Sequence, residues 1–188
     1  MEHKLGFDPA DIDTLARQYV TQNKDQANEN RIIEEIAPRA KRNGGYNKED
    51  FLKVCHWKTP RTQPRCMEND EPFVREITAM ALKTQNEQAR IEVLTLLNGV
   101  DWPTASALLH FGHPYPYPIL DFRALQSLDI PQPSEYTFSF WWKYVEACRK
   151  IANRCKVPMR TLDRALWQFS KNHVEAETSH VPQLRYTE

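Results

Sequence analysis

The chain has 188 residues, of which 40% are hydrophobic, and its 25 basic and 25 acidic residues leave no formal net charge. This size allows one substantial core or two small lobes around a cleft, and the balanced charge excludes a global positive field that would attract nucleic acid or membrane. Any affinity for DNA must therefore come from local basic patches.

The N-terminal residues contain no apolar segment typical of a secretion signal, and no apolar run is long enough to cross a bilayer. We therefore expect a cytoplasmic protein with no membrane partner. Its four cysteines are too few for a disulfide scaffold, which also suits a reducing compartment.

Apolar residues recur at helical spacing through most of the chain, and no strand alternation of useful length appears. Residues that commonly begin helices precede these segments, namely Asp8, Asn47, Asp70, Asp121, Thr137 and Pro158. The sequence therefore predicts an all-α fold.

Two proline-rich segments are predicted as connections. Residues 56–65 contain two prolines, three cations and Trp57, and we expect an exposed loop there. Residues 110–118 alternate prolines with Tyr115 and Tyr117, which predicts an extended segment.

The stretch 91–112 predicts two helices joined by a short hairpin. An apolar helical pattern runs into Asn98-Gly99, a turn signal, and a second helical pattern follows Pro103. The unpaired N–H groups at the start of the second helix suit a phosphate oxygen. An ordinary antiparallel helix pair closed by a glycine would show the same pattern.

The hairpin reads Leu97-x-Gly-Val-x-x-x-Thr-Ala, and an apolar helix, a proline-rich loop and Leu120-Asp-x-Arg follow it. This arrangement resembles the helix-hairpin-helix superfamily of base-excision DNA glycosylases over roughly residues 47–171. The resemblance implies a two-lobed helical fold in which the hairpin grips the DNA backbone and Asp121 lies at the mouth of the base pocket. From its position alone, Asp121 would be a helix N-cap.

Two residues depart from the family pattern. Asp101 replaces a second glycine and puts a carboxylate beside the expected phosphate site, unless it caps the second helix. Pro103 occupies the position at which bifunctional members carry the lysine that attacks the sugar. The resemblance therefore implies a monofunctional enzyme without lyase activity.

The resemblance assigns roles to several groups of residues. Asp121 is the expected catalytic residue, and the hairpin residues expected to contact DNA are Gly99, Val100, Asp101, Trp102 and Thr104. The cations expected to contact DNA are Lys58, Arg61, Arg65 and Arg123, although residues 56–65 also suit a solvated charged loop. The expected base-pocket or wedge residues are Trp57, Tyr115 and Tyr117.

We expect no metal or cofactor. Some relatives hold an iron-sulfur cluster on four cysteines near the C-terminus, but here only Cys148 and Cys155 lie in that region and both fit buried core positions. The resemblance leaves room for a monovalent cation at the hairpin.

The predicted organisation has three parts. Helices in 1–46 pack on the core, the glycosylase-like domain spans 47–172 with its hairpin at 91–112, and 173–188 is a polar tail. We expect a monomer that binds DNA in the cytoplasm.

The expected function is hydrolysis of the N-glycosidic bond of a damaged or modified base. A non-catalytic module that recognises such DNA is the alternative, and Asp101 and the neutral charge favour it. A helical protein-interaction domain would require the motif match to be chance. The substrate base stays open among alkylated purines, deaminated bases and bulky modified phage bases, the last of which would fit a role against phage.

Overall fold

The structure is a computed structural model that describes residues 4–179. Within this range it contains helices and no β-strand, which confirms the predicted all-α class. The helices are α1 (Ile12–Gln22), α2 (Gln26–Arg31), α3 (Ala37–Asn43), α4 (Lys48–Lys58), α5 (Gln63–Met67), α6 (Glu71–Lys83), α7 (Glu87–Glu92), α8 (Trp102–Gly112), α9 (Phe122–Ser127), α10 (Phe138–Cys155) and α11 (Met159–Ser179). A π-helical turn, Ile32–Ile36, joins α2 to α3, and Pro9–Asp11, Pro60–Thr62 and Val93–Leu96 form 3-10 turns.

The predicted capping residues lie at helix starts. The side chains of Asn47, Asp70 and Thr137 each accept a hydrogen bond from the backbone N–H three residues later. Asp8 caps the 3-10 turn that precedes α1. Each bond satisfies one of the N–H groups that a helix start leaves unpaired.

The expectation of an exposed loop over 56–65 is wrong. Helix α4 continues to Lys58, Pro60 opens a 3-10 turn, and Pro64 lies in the first turn of α5. Only Thr59 in this segment lies outside helical structure. Proline begins a helix as readily as it ends one, because the N–H that it lacks has no partner in a first turn.

The extended connection is confirmed in part. Helix α8 continues through Gly112, and the extended segment therefore begins at His113. At the other end of the chain, α11 runs through 173–179, which we expected to be frayed tail. The rest of that predicted tail, 180–188, lies outside the described residues.

Helix α8 lies at the centre of the molecule. Eight of its eleven residues are buried, and it packs against α3, α4, α6 and α7. On another side of the core, α11 packs against α1 and α9. The buried apolar residues form one continuous cluster, so the start of α8, the end of α4 and the start of α9 are held on a common scaffold.

Candidate active site

The hairpin turn is rigid and packs against α5. Gly99 has φ +80°, and a Cβ atom there would lie 2.7 Å from Cys66 Sγ and 2.8 Å from Cys66 N. Asn69 holds the turn from the other side, because it accepts the Asn98 N–H at 2.8 Å and donates to the Asn98 carbonyl at 3.0 Å. Both the left-handed backbone and the close contact require glycine at position 99.

Some hairpin amides remain available. The Val100 N–H donates to the Leu97 carbonyl at 3.0 Å, so it is already used. The N–H groups of Gly99, Asp101 and Thr104 find no acceptor among residues 4–179. This part of the hairpin can therefore still receive an anion.

Asp101 is the N-cap of α8, as one of its two predicted roles requires. Its carboxylate accepts the Trp102 N–H at 2.7 Å. The side chain of Trp102 is half-buried and packs near Trp141. The hairpin therefore presents a carboxylate beside its free amides, and the Trp102 N–H is already used by that carboxylate.

Asp121 combines two contacts. Its Oδ1 atom accepts the Arg123 N–H at 3.0 Å, which makes it the N-cap of α9. Its Oδ2 atom accepts from Lys58 Nζ at 2.5 Å, and the side chains of Asp121 and Lys58 are only 20% and 10% exposed. This largely buried ion pair joins the end of α4 to the start of α9.

The segment before Asp121 is fixed by three helices. The Leu120 N–H donates to Ser106 Oγ of α8 at 2.8 Å, and the Ile119 N–H donates to Asp163 Oδ1 of α11 at 3.2 Å. Tyr144 of α10 donates to the Ile119 carbonyl at 2.8 Å. The position of Asp121 is therefore set by the core and not by a free loop.

Two cavities adjoin at the Lys58–Asp121 pair, which lines both of them. The first, here called the aromatic cavity, has a volume of about 270 Å³, and its lining includes Tyr19, Trp57, Asp121, Arg160, Asp163 and Trp167. The second, the hairpin cavity, has a volume of about 690 Å³, and its lining includes Arg61, Gly99, Asp101, Thr104, Asp121 and Tyr136. The carboxylate of Asp121 therefore stands between the hairpin and a small pocket with aromatic walls.

Asp163 and His110 form a buried polar pair at the aromatic cavity. His110 Nδ1 lies 2.6 Å from the Tyr117 carbonyl and 3.1 Å from Asp163 Oδ2. Burial and the nearby Arg160 lower the pKa of His110 to about 3, so the imidazole is neutral at pH 7. Burial raises the pKa of Asp163 to about 7, although Arg160 and the Ile119 N–H act in the opposite direction.

A second buried cluster supports the wall of this cavity. The carboxylate of Glu29 is fully buried and pairs with Arg160, at 2.8 Å, and with Arg164. Burial raises the pKa of Glu29, but the two guanidinium groups outweigh it and hold that pKa below its usual value. Arg160 also lies over the rings of Trp57 and Tyr19, so its charge already interacts with groups of the protein.

The structure brings several predicted site residues together. Lys58, Trp57 and Asp121 meet at the aromatic cavity, and Arg61 lines the hairpin cavity. Arg65 is exposed on α5 and lines neither of them.

Other predicted site residues lie elsewhere. Arg123 is held between the rings of Phe122 and Trp167, with ring distances of 5.2 and 5.1 Å. Val100 is buried, so its side chain belongs to the core.

The two tyrosines of the proline-rich segment do not reach Asp121. Tyr117 is completely buried, stacks on Trp141 and donates to Glu87, so the expectation that it contacts a base is wrong. Tyr115 is 63% exposed, but it lines a separate surface cavity with Arg149.

Sequence reasoning missed most of the lining of the aromatic cavity, including Tyr19, Arg160, Asp163 and Trp167. One signal was present: Arg160 and Asp163 lie three residues apart beside Leu162, on the apolar side of an amphipathic helix. A charged residue at a core-facing position needs a buried partner or a function.

Among residues 4–179, no three or more metal-binding side chains lie close together. Cys148 is buried, Cys155 is half-buried, and both are free thiols. No helix in the same part of the chain combines the length and apolar character needed to cross a bilayer.

Comparisons with protein-family models, with curated proteins and with solved structures find no match to this chain.

Proposed function

We propose that this protein is a monofunctional DNA glycosylase with the two-lobed helix-hairpin-helix fold, acting as a cytoplasmic monomer. The observation that carries the proposal is the position of Asp121. Its largely buried carboxylate lies between the hairpin cavity, where three backbone amides are free, and an aromatic cavity.

The carboxylate suits the chemistry of this reaction. An N-glycosidic bond breaks through a sugar with cation-like character, which a carboxylate beside it stabilises. Asp121 also accepts a proton from the attacking water. Lys58 and the Arg123 N–H hold the carboxylate in one orientation.

The aromatic cavity suits an extruded base. Taking a base out of the duplex costs a few kcal/mol, which stacking and hydrogen bonds in a pocket must offset. Tyr19, Trp57 and Trp167 supply ring surfaces, and Asp163 supplies a polar group beside them.

The hairpin suits the DNA backbone. The free N–H groups of Gly99, Asp101 and Thr104 lie near the start of α8, where the helix dipole favours an anion. The exposed Arg61 lies at the same cavity. The carboxylate of Asp101 opposes a phosphate here and limits the affinity.

Lyase activity would need a neutral amine at the sugar. Pro103 supplies none, and the amine that contacts Asp121 within residues 4–179 belongs to Lys58, whose partner is the Asp121 carboxylate. An amine held as an ammonium ion in such a pair is not a nucleophile. We therefore propose hydrolysis that leaves an intact abasic site and requires no cofactor.

A non-catalytic module that binds modified DNA is the second candidate. The Lys58–Asp121 pair favours it, because it occupies one carboxylate oxygen and lowers the charge available to the sugar. The carboxylate of Asp101 at the hairpin also favours the binding module.

The deciding experiment incubates the protein with duplexes that each carry one modified base and detects free base by mass spectrometry. The panel contains hypoxanthine, uracil, 7-methylguanine, 3-methyladenine and glucosylated 5-hydroxymethylcytosine. Release of a base with an alkali-labile abasic site supports the glycosylase. Tight, selective binding without release identifies the binding module, and neither binding nor release overturns both candidates.

A further inference from the structure

We propose that Asp163 is a second catalytic residue, which in its neutral form donates a proton to the departing base. It follows that the substrate is an uncharged base whose departure needs a proton. This inference rests on the proposed glycosylase function and specifies its substrate class.

The placement of Asp163 is the first observation. It is 5% exposed and lines the same aromatic cavity as Asp121. A purely structural carboxylate at this depth would be expected to have both oxygens paired, because an unpaired buried charge is costly. Here only Oδ1 accepts a hydrogen bond from residues 4–179.

The two carboxyl oxygens have different surroundings. Oδ1 accepts the Ile119 N–H at 3.2 Å, whereas Oδ2 has no hydrogen-bond partner within residues 4–179. His110 Nδ1 lies 3.1 Å from Oδ2, but its proton points to the Tyr117 carbonyl at 2.6 Å. A proton on Oδ2 removes the buried charge and leaves an O–H group that lacks an acceptor within residues 4–179. This oxygen is inaccessible to solvent in the structure, so the cavity wall must shift before the O–H group can donate to a bound base.

Burial favours the neutral form of Asp163 and outweighs the nearby cations Arg160 and Lys58, and the charge of Asp121 acts in the same direction as burial. Arg160 lies one turn earlier on α11 and is already paired with Glu29. Lys58 is paired with Asp121, and His110 is a neutral imidazole at pH 7. The neighbouring groups of α10 are Tyr144 and Cys148, and burial raises the pKa of both, so they are neutral as well. The pKa of about 7 for Asp163 agrees with this geometry.

The step balances with water as co-reactant. As the bond between the sugar carbon and the base nitrogen breaks, its electron pair stays on the base, and the base takes the proton of Asp163. Water attacks the sugar carbon and gives a proton to the carboxylate of Asp121. Proton exchange with solvent then restores both carboxyl groups.

The substrate class follows from this step. A ring-alkylated purine such as 7-methylguanine is already cationic in DNA and leaves as a neutral base without a proton donor. A base such as hypoxanthine is uncharged and leaves as an anion unless it is protonated. A general acid therefore accelerates only the second kind of departure.

The test compares wild type with Asp163→Asn, which retains an oxygen to accept the Ile119 N–H but carries no acidic proton. The substrates are duplexes with hypoxanthine or 7-methylguanine and any further base released in the panel. We expect wild type to prefer uncharged bases, with kcat falling above about pH 7. The variant should lose about 100-fold or more on uncharged bases and lose this alkaline decline.

Binding and folding controls separate the outcomes. Affinity for a duplex with a tetrahydrofuran abasic analogue should be the same in both proteins, and Asp13→Asn, at an exposed position of α1, should behave as wild type. Wild-type turnover in Asp163→Asn, or a wild-type preference for 7-methylguanine, overturns this inference but leaves the glycosylase intact. No base release by wild type overturns the proposed function itself.

Discussion

Asp121 has a structural role and a proposed chemical role at the same atoms. The sequence predicts it at a helix start, and the structure confirms that it caps α9. Its partner Lys58 lies 63 residues earlier in the chain, so no local pattern could pair them. The sequence placed both residues at a DNA-facing site through family resemblance alone, and only tertiary packing brings their charges together.

Asp121→Asn should abolish base release and leave DNA affinity largely unchanged. Asparagine keeps an oxygen for the Arg123 N–H but loses the charge that stabilises the sugar, so we expect a fall in kcat of about 100-fold or more. Single-turnover base release and a fluorescence binding assay measure the two effects. Asp70→Asn, which changes the equivalent cap of α6, is the matched control. Undiminished turnover in Asp121→Asn would mean that Asp121 acts only as a helix cap.

Borohydride added during turnover should trap no covalent protein–DNA adduct. Lys58 is paired with Asp121 at the proposed reacting centre, and this pairing keeps it from attacking the sugar carbon. The product strand should break only after treatment with alkali or amine. Gel analysis of the reduced reaction checks this. An adduct that forms with wild type and disappears in Lys58→Gln would assign the nucleophile to Lys58.

At the scale of whole elements, the sequence predicted helix starts well and connections poorly. Caps are local, because a side chain bonds an amide two or three residues away, and so Asn47 and Asp70 are readable from the sequence. The prolines of 56–65 predict a loop, but Pro60 and Pro64 lie in first turns. Tyr117 was expected to contact a base, because nothing local shows that Trp141 and Glu87 cover it.

The segment between α4 and α6, which includes α5, should supply phosphate contacts. Arg61 and Arg65 are exposed, and neither forms an ion pair within residues 4–179. Each phosphate contact lowers the slope of log affinity against log salt by about 0.9, so Arg61→Gln and Arg65→Gln should each make the slope shallower by about one. Binding isotherms at several salt concentrations measure this.

Two control variants accompany Arg61→Gln and Arg65→Gln, one expected to raise the affinity for DNA and one expected to have no effect. Asp101→Asn removes a negative charge at the hairpin and should raise affinity for DNA. Lys150→Gln, an exposed position of α10, should leave the slope unchanged. If the slope stays constant in both arginine variants, the DNA-binding surface lies elsewhere on the protein.

Over the whole molecule, charges are placed inside as well as on the surface. Glu29 is completely buried between two arginines, and Asp163 is buried with only one oxygen accepting a hydrogen bond from residues 4–179. A balanced composition gave no sign of these clusters, because they depend on contacts between α11 and segments far away in sequence. Burial of Asp163 by these contacts destabilises the folded protein, whereas the proposed activity depends on it.

Asp163→Asn should become progressively more stable than wild type as the pH rises from about 4 to about 7. The folded state raises the pKa of Asp163 from 3.8 to about 7, so between these values the folded protein holds a proton that the unfolded chain has lost. The unfolded state then binds fewer protons, and wild-type stability falls with rising pH until Asp163 ionises in both states.

Asparagine does not titrate, so the difference in free energy of unfolding should grow by about 1.4 kcal/mol per pH unit at most and level off above pH 7. His110 acts with the opposite sign in both proteins, because its lowered pKa destabilises the fold in acid. Urea unfolding of both proteins at pH 5 and pH 8 measures the change, and an equal difference at the two values would mean that Asp163 is ionised in the folded protein throughout this range.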